Sequence, residues 1–212
     1  NEERITVTVT SSPPVASNVI INQADYCTSG PAVFVSWTYS DPDGNPQIAY
    51  QVQVDEQGKS FSPPIYDSGQ IFSSGTSAYV GNLPFNKTMV VRVMVWAVDG
   101  SSAWAYSGSW KSQVHSAPDV DFSWVSFLAP SANSPIQFND ASICYDNSNN
   151  PTACSGAGMG GWSWTFGDGG TSTLQNPIYT YSNFGTFNVT DTVTDKEGTT
   201  CSLSKPINVD RP

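Results

Sequence analysis

The sequence predicts an all-β protein made of two tandem β-sandwiches preceded by an extra N-terminal strand. Short stretches of alternating apolar and polar residues recur along the 212 residues, each bounded by Gly, Pro, Asn or Asp. No segment keeps a helical apolar period over three turns. The length accommodates two sandwiches of about 100 residues each, and charged residues make up only 12% of the chain, which suits short strands and many turns.

Residues 1–10 alternate as one strand, with Ile5, Val7 and Val9 on one face, before Ser11-Ser12-Pro13-Pro14 interrupts it. A lone strand cannot bury such a face. Residues 1–14 therefore read either as an ordinary first strand with its linker, or as a donor strand completing the sandwich of another copy.

Residues 15–116 form the first expected sandwich, with strands at 16–22, 33–40, 47–56, 64–71, 78–83, 88–97 and 108–114. Val33, Val35, Trp37 and Tyr39 share a face, with Trp37 as the expected core anchor. The stretches V-F-V-S-W (33–37), A-Y-Q-V-Q-V (49–54) and L-P-F-N-K-T-M-V-V-R-V (83–93) resemble a fibronectin type III domain. The position of that family's corner tyrosine is Val90.

A junction at residues 114–119 leads to the second sandwich, 117–212, with strands at 120–127, 136–143, 161–166, 171–174, 178–181, 186–194 and 199–209. Trp162, Trp164 and Phe166 alternate on one face, and Gly167-Asp168-Gly169-Gly170 ends their strand with residues that accept positive φ. Trp164 to Gly169 reads W-T-F-G-D-G, Asn176 to Tyr181 reads N-P-I-Y-T-Y, and Gly185 to Asp195 supplies a further alternating run. In these motifs and their spacing the segment closely resembles the polycystic kidney disease (PKD) repeat. That resemblance implies an immunoglobulin-like sandwich in which Asp168 orders its own turn. One position departs from the family: Asp191 stands where the repeat carries leucine, on the face shared by Val189 and Val193. Either a local bulge brings its carboxylate to water, or it is buried and hydrogen-bonded, because an unpaired buried charge is costly.

Composition narrows the function. Lys and Arg number 8 against 18 Asp and Glu, a formal net charge of −10, so a phosphate backbone is repelled and nucleic acid is not an expected partner. No run of 18 apolar residues is present. With no initiating Met and no signal peptide, the chain reads as a mature or excised piece of an exported protein. His115 is the only histidine and falls in the junction, where it reads as an exposed linker residue; no serine or cysteine triad can be assembled around it. No enzymatic activity is expected.

Asp41, Asp43 and Asn45 in D-P-D-G-N suit a turn, with a calcium loop as the alternative; Asp168, and Asp195 with Glu197, are weighed the same way. No cofactor other than that calcium ion is expected. Trp104, Tyr106 and Trp110 alternate on one face, as core packing or as a platform for stacking on sugar rings. Asn86-Lys-Thr and Asn188-Val-Thr are glycosylation sequons. Four cysteines without a C-x-x-C read as disulfides in an oxidising compartment. Cys144 and Cys154 flank one polar loop. In a seven-strand sandwich the loop holding Cys27 faces the following domain, where Cys201 follows the last hairpin turn, so a Cys27–Cys201 pair is expected.

The resemblances together imply a non-catalytic extracellular module of a prokaryotic surface protein: a stalk, an adhesin segment or a fibre subunit. Its partners would be other copies of itself, as a homopolymer, or neighbouring surface domains. The alternative is a carbohydrate- or polymer-binding accessory module of a secreted hydrolase.

Overall fold

The computed structural model describes residues 11–126, 129–154 and 161–212. The chain divides into two compact units, Asn1–Gln113 and Val114–Pro212. Ile5, Val7 and Val9 lie outside the described residues.

The first unit runs β1 (Val15–Gln23), the single-turn helix α1 (Tyr26–Ser29), β2 (Val33–Ser40), β3 (Ala49–Glu56), β4 (Tyr66–Asp67), β5 (Ser77–Val80), β6 (Thr88–Ala97), β7 (Gly100–Ser101), β8 (Ala105–Tyr106) and β9 (Trp110–Lys111). One sheet has the order β1-β2-β5. The other has the order β4-β3-β6, and β7, β8 and β9 all pair along β6. Val33, Val35 and Trp37 of the first sheet and Val52, Val54, Met89, Val91, Val93 and Val95 of the second fill one core. Trp37 satisfies its indole N–H by donating to Gln47 Oε1 at 3.1 Å, so the anchor brings no unpaired donor into the interior.

Two expected strands differ. The strand at 64–71 shrinks to Tyr66–Asp67, because Pro63 and Pro64 have no amide to donate and Gly69 turns the chain at φ +61°. The strand at 108–114 shrinks to β9 (Trp110–Lys111), and ahead of it β7 and β8 are two-residue pieces on the same side of β6. Their pairing with β6 is not in one register: Tyr106 lies opposite Arg92 and Trp110 opposite Met89, so four residues span what three span on β6. That extra residue is a bulge.

The second unit runs β10 (Phe122–Val125), β11 (Pro135–Asp140), β12 (Ile143–Tyr145), β13 (Pro151–Ala153), β14 (Gly161–Thr165), β15 (Thr171–Ser172), β16 (Ile178–Thr180), β17 (Gly185–Thr194) and β18 (Thr200–Val209). Its sheets are β10-β11-β16 and β15-β14-β17-β18, with β12-β13 as a separate hairpin. The expected strand 136–143 breaks after Asp140, whose carboxylate accepts from the Ser142 amide at 2.9 Å and so favours a turn over the ladder. A disulfide joins Cys144 to Cys154 across the loop that contains this hairpin, with Cα atoms 5.0 Å apart.

Strands β17 and β18 pair without interruption from Gly185/Val209 to Thr194/Thr200. On their exposed face Thr190 and Ser204, Thr192 and Ser202, and Thr194 and Thr200 join hydroxyls at 2.7 to 2.9 Å. Pro206 lies opposite Asn188, inside the ladder and on the last strand of the sheet. No helix among the described residues is long and apolar enough to cross a membrane.

Candidate functional site

The W-T-F-G-D-G segment builds the centre of the second unit. Trp164 and Phe166 point inward from the end of β14 and are fully buried. Tyr179 stacks on Phe166 with centroids 3.8 Å apart, Tyr181 meets Tyr179 edge-on at 5.0 Å, and Phe187 stacks on Tyr181 at 4.4 Å. The Tyr181 hydroxyl donates to the Phe166 carbonyl at 2.9 Å, and burial pushes its pKa far above the usual phenol range. Asp168 accepts from the Gly170 amide at 3.0 Å and from the Tyr179 hydroxyl at 2.9 Å. Burial, and then this carboxylate, raise the Tyr179 pKa. Asp168 therefore spends Oδ1 on its own turn and both oxygens on Tyr179 of β16. Gly167 sits at φ +85°, and a Cβ there would meet the Asn188 backbone at 2.7 and 2.8 Å. Gly169 also has positive φ, but the space around it is open.

Asp191 takes neither of the two courses open to it in sequence. No bulge interrupts β17, which keeps Asp191 in register between Trp164 and Leu203. The residue is 0% exposed. Neither carboxylate oxygen has a hydrogen-bond partner among the described residues, and neither does Nε1 of Trp164. Burial first, and the Asp140 carboxylate second, push its pKa up to about 7, against a weaker opposing pull from the Thr192 amide.

In the first unit, Asp41 Oδ1 accepts from the amides of Asp43 at 2.9 Å and Asn45 at 3.1 Å. Carboxylate oxygens of Asp41, Asp43 and Asp99 lie within 4.8 Å of one another. Asp99, not Asn45, is thus the third acidic group of the loop, and it arrives from the turn after β6. Asn45 instead donates to Asp99 Oδ2 at 3.0 Å, and Ser11 donates to the same oxygen at 2.7 Å. Nothing in the local sequence of D-P-D-G-N signals Asp99, because only the pairing of β3 with β6 brings it there.

Trp104, Tyr106 and Trp110 do not share a face. The bulge between β8 and β9 reverses the alternation. Trp110 packs on the first core beside Met89, whereas Tyr106 is 54% exposed beside Arg92. Trp104 and Phe61 clasp the Arg92 guanidinium, each ring centroid 4.2 Å from it, and Arg92 Nε donates to Gln53 at 2.8 Å. Asn86 and Asn188 are both exposed.

His115 is not an exposed linker residue. It is 3% exposed, and its ring lies between the Ser116 carbonyl, 2.9 Å from Nδ1, and Glu197 Oε2, 2.7 Å from Nε2. Burial alone would lower the imidazole pKa, but the Ser116 carbonyl, Glu197 and Asp195 outweigh it and raise it. Cys27 lies in α1, where Asp25 Oδ1 accepts from its amide at 3.2 Å. Cys201 is buried in β18, and no cysteine in the chain is a free thiol.

Residues 139–210 match the PKD domain family, and residues 26–114 match the family of Rha78A-like, N-terminal immunoglobulin domains. Over 85 residues, 40% of this chain, the sequence is 33% identical to the pre-pro-metalloprotease PrtV of Vibrio cholerae, and the match spans only 9% of that protein. The solved PKD1 domain of the V. cholerae metalloprotease PrtV is 26% identical, with 44% of this chain and 98% of that one covered at a TM-score of 0.34. A structure of carbohydrate-binding modules from the β-sandwich superfamily is 32% identical, covering 45% of this chain and 35% of that one at a TM-score of 0.36. The second unit of this chain is a PKD domain, and the unit before it is an immunoglobulin-like domain.

Proposed function

We propose that this chain is a non-catalytic, extracellular scaffold segment of a prokaryotic exported or surface protein, one that spaces and orients the parts on either side of it. One observation supports the reading above others: the groups best suited to chemistry or recognition are engaged in holding their own fold. Asp168 holds its turn and Tyr179, Asp41 holds its loop, and Trp110 lies on the core. The match to part of a pre-pro-metalloprotease is in keeping with an exported parent.

A binding module would behave differently. In native gels containing soluble polysaccharides, the protein is expected to migrate as in gels without them. Retardation that disappears on Tyr106→Ala or Trp104→Ala would overturn the scaffold reading and establish the carbohydrate-binding alternative. Exposed Tyr106 is the ring through which that would happen.

The scaffold reading also carries a covalent expectation. Non-reducing peptide mapping should return Cys27 and Cys201 in one fragment and Cys144 with Cys154 in another. A fragment joining Cys27 to a second chain would replace the tandem scaffold with a covalent dimer.

A further inference from the structure

We propose that His115, Asp195 and Glu197 form a binding site for one divalent transition-metal ion of the zinc type. A nitrogen of His115 and one carboxylate oxygen each of Asp195 and Glu197 lie within 4.8 Å of one another. All three residues belong to the second unit. Two of them are almost wholly enclosed, His115 at 3% and Asp195 at 2% exposure.

The arrangement around the three ligands is what orients them. Asp195 Oδ1 accepts from the amides of Glu197 at 3.0 Å and Thr199 at 2.8 Å, which fixes the carboxylate in the β17–β18 turn. Its other oxygen, Oδ2, is buried and has no hydrogen-bond partner among the described residues. A buried anionic oxygen left unpaired is costly and calls for a positive partner. His115 Nδ1 is 2.9 Å from the Ser116 carbonyl, which requires the proton on Nδ1 and leaves Nε2 as the ligating nitrogen. Metal-binding imidazoles are oriented in this way by a backbone acceptor on the far nitrogen. Glu197 closes the set with Oε2, 2.7 Å from Nε2. Its side chain is 29% exposed, and Lys196 sits 3.6 Å from its other oxygen, so it can open by the few tenths of an ångström that an intervening ion needs.

A proton on Nε2 is the competing occupant. It hydrogen-bonds Glu197 but reaches Asp195 only through charge attraction and leaves Oδ2 without a bonded partner, whereas a metal ion would be shared by all three. One imidazole with two carboxylates favours Zn²⁺ and its neighbours over Ca²⁺ or Mg²⁺, which prefer all-oxygen sets. Three protein ligands leave one tetrahedral position for water or for a group from a partner.

The test uses the complete, tag-free chain, stripped with a chelator and titrated with Zn²⁺ in a non-coordinating buffer. Because His115 is the only histidine, its ring resonances are unambiguous in a ¹H–¹⁵N spectrum. The expected result is one Zn²⁺ per chain, a shift of the His115 Nε2 resonance, and no displacement by excess Ca²⁺. Affinity should fall by about tenfold or more between pH 7.5 and 5.5 as protons compete for Nε2. Glu197→Gln, at an accessible position, should weaken binding by about tenfold or more with the fold unchanged. Imidazole resonances that do not move on saturation with Zn²⁺ would overturn the proposal, as would binding that Glu197→Gln leaves intact. Neither outcome depends on whether the chain is a scaffold or a binding module.

Discussion

Asp191→Leu is expected to stabilise the PKD domain by roughly 2–4 kcal/mol at pH 8, and by much less at pH 4. The sign follows from where the proton sits. An aspartate pKa raised from 3.8 to about 7 by folding means that the folded domain holds a proton which the unfolded chain releases between those values. The aspartate's contribution is therefore best at or below about pH 4, declines as pH rises, and is at its worst above about 7. Leucine removes both the titration and the unpaired oxygens, so the gain grows over that window. Chemical denaturation of both proteins at pH 4, 6 and 8 measures it. A gain that is flat across pH would show that Asp191 does not titrate on folding. A loss at pH 8 would show that the carboxylate is well partnered.

The second large effect is a contrast between two glycines of one turn. Gly167→Ala should cost about 2–5 kcal/mol, since the new methyl meets the Asn188 backbone as well as a positive φ. Gly169→Ala, also at positive φ but in open space, should cost only about 1 kcal/mol. Thermal unfolding of the two variants beside the parent decides it. Equal losses would mean that conformational strain alone, and not the close approach of β17, demands glycine at 167.

The sandwich architecture was legible because alternation survives translation into burial. Val33, Val35 and Trp37 point inward as their spacing says, and so do Trp164 and Phe166. What escaped the sequence is what depends on register or on contacts distant in the chain. A single extra residue between Tyr106 and Trp110 sends two aromatics to opposite faces, and no local signal marks it. Asp99 joins Asp41 and Asp43 only through the β3–β6 pairing. His115 reads as linker because its neighbours are Ser, Ala and Pro, yet its partner Glu197 is 82 residues away in a turn. Period 2 puts Asp191 on the inward face but does not say whether a donor meets it, and among the described residues neither oxygen makes a hydrogen bond of ordinary geometry.

The position of Pro206 bears on which sheet edge another chain could join. The β17–β18 ladder passes through the proline unbroken, so its missing amide must belong to the row that faces away from β17. Among the described residues β18 is the last strand of its sheet, and an outer row of edge-strand backbone invites intermolecular sheet growth. Pro206 removes one donor from the middle of that outer row. A strand arriving from another molecule would find a gap in its hydrogen bonds at the point where it needs to zip. At high protein concentration, that gap disfavours fusion of this edge into an amyloid-like seam.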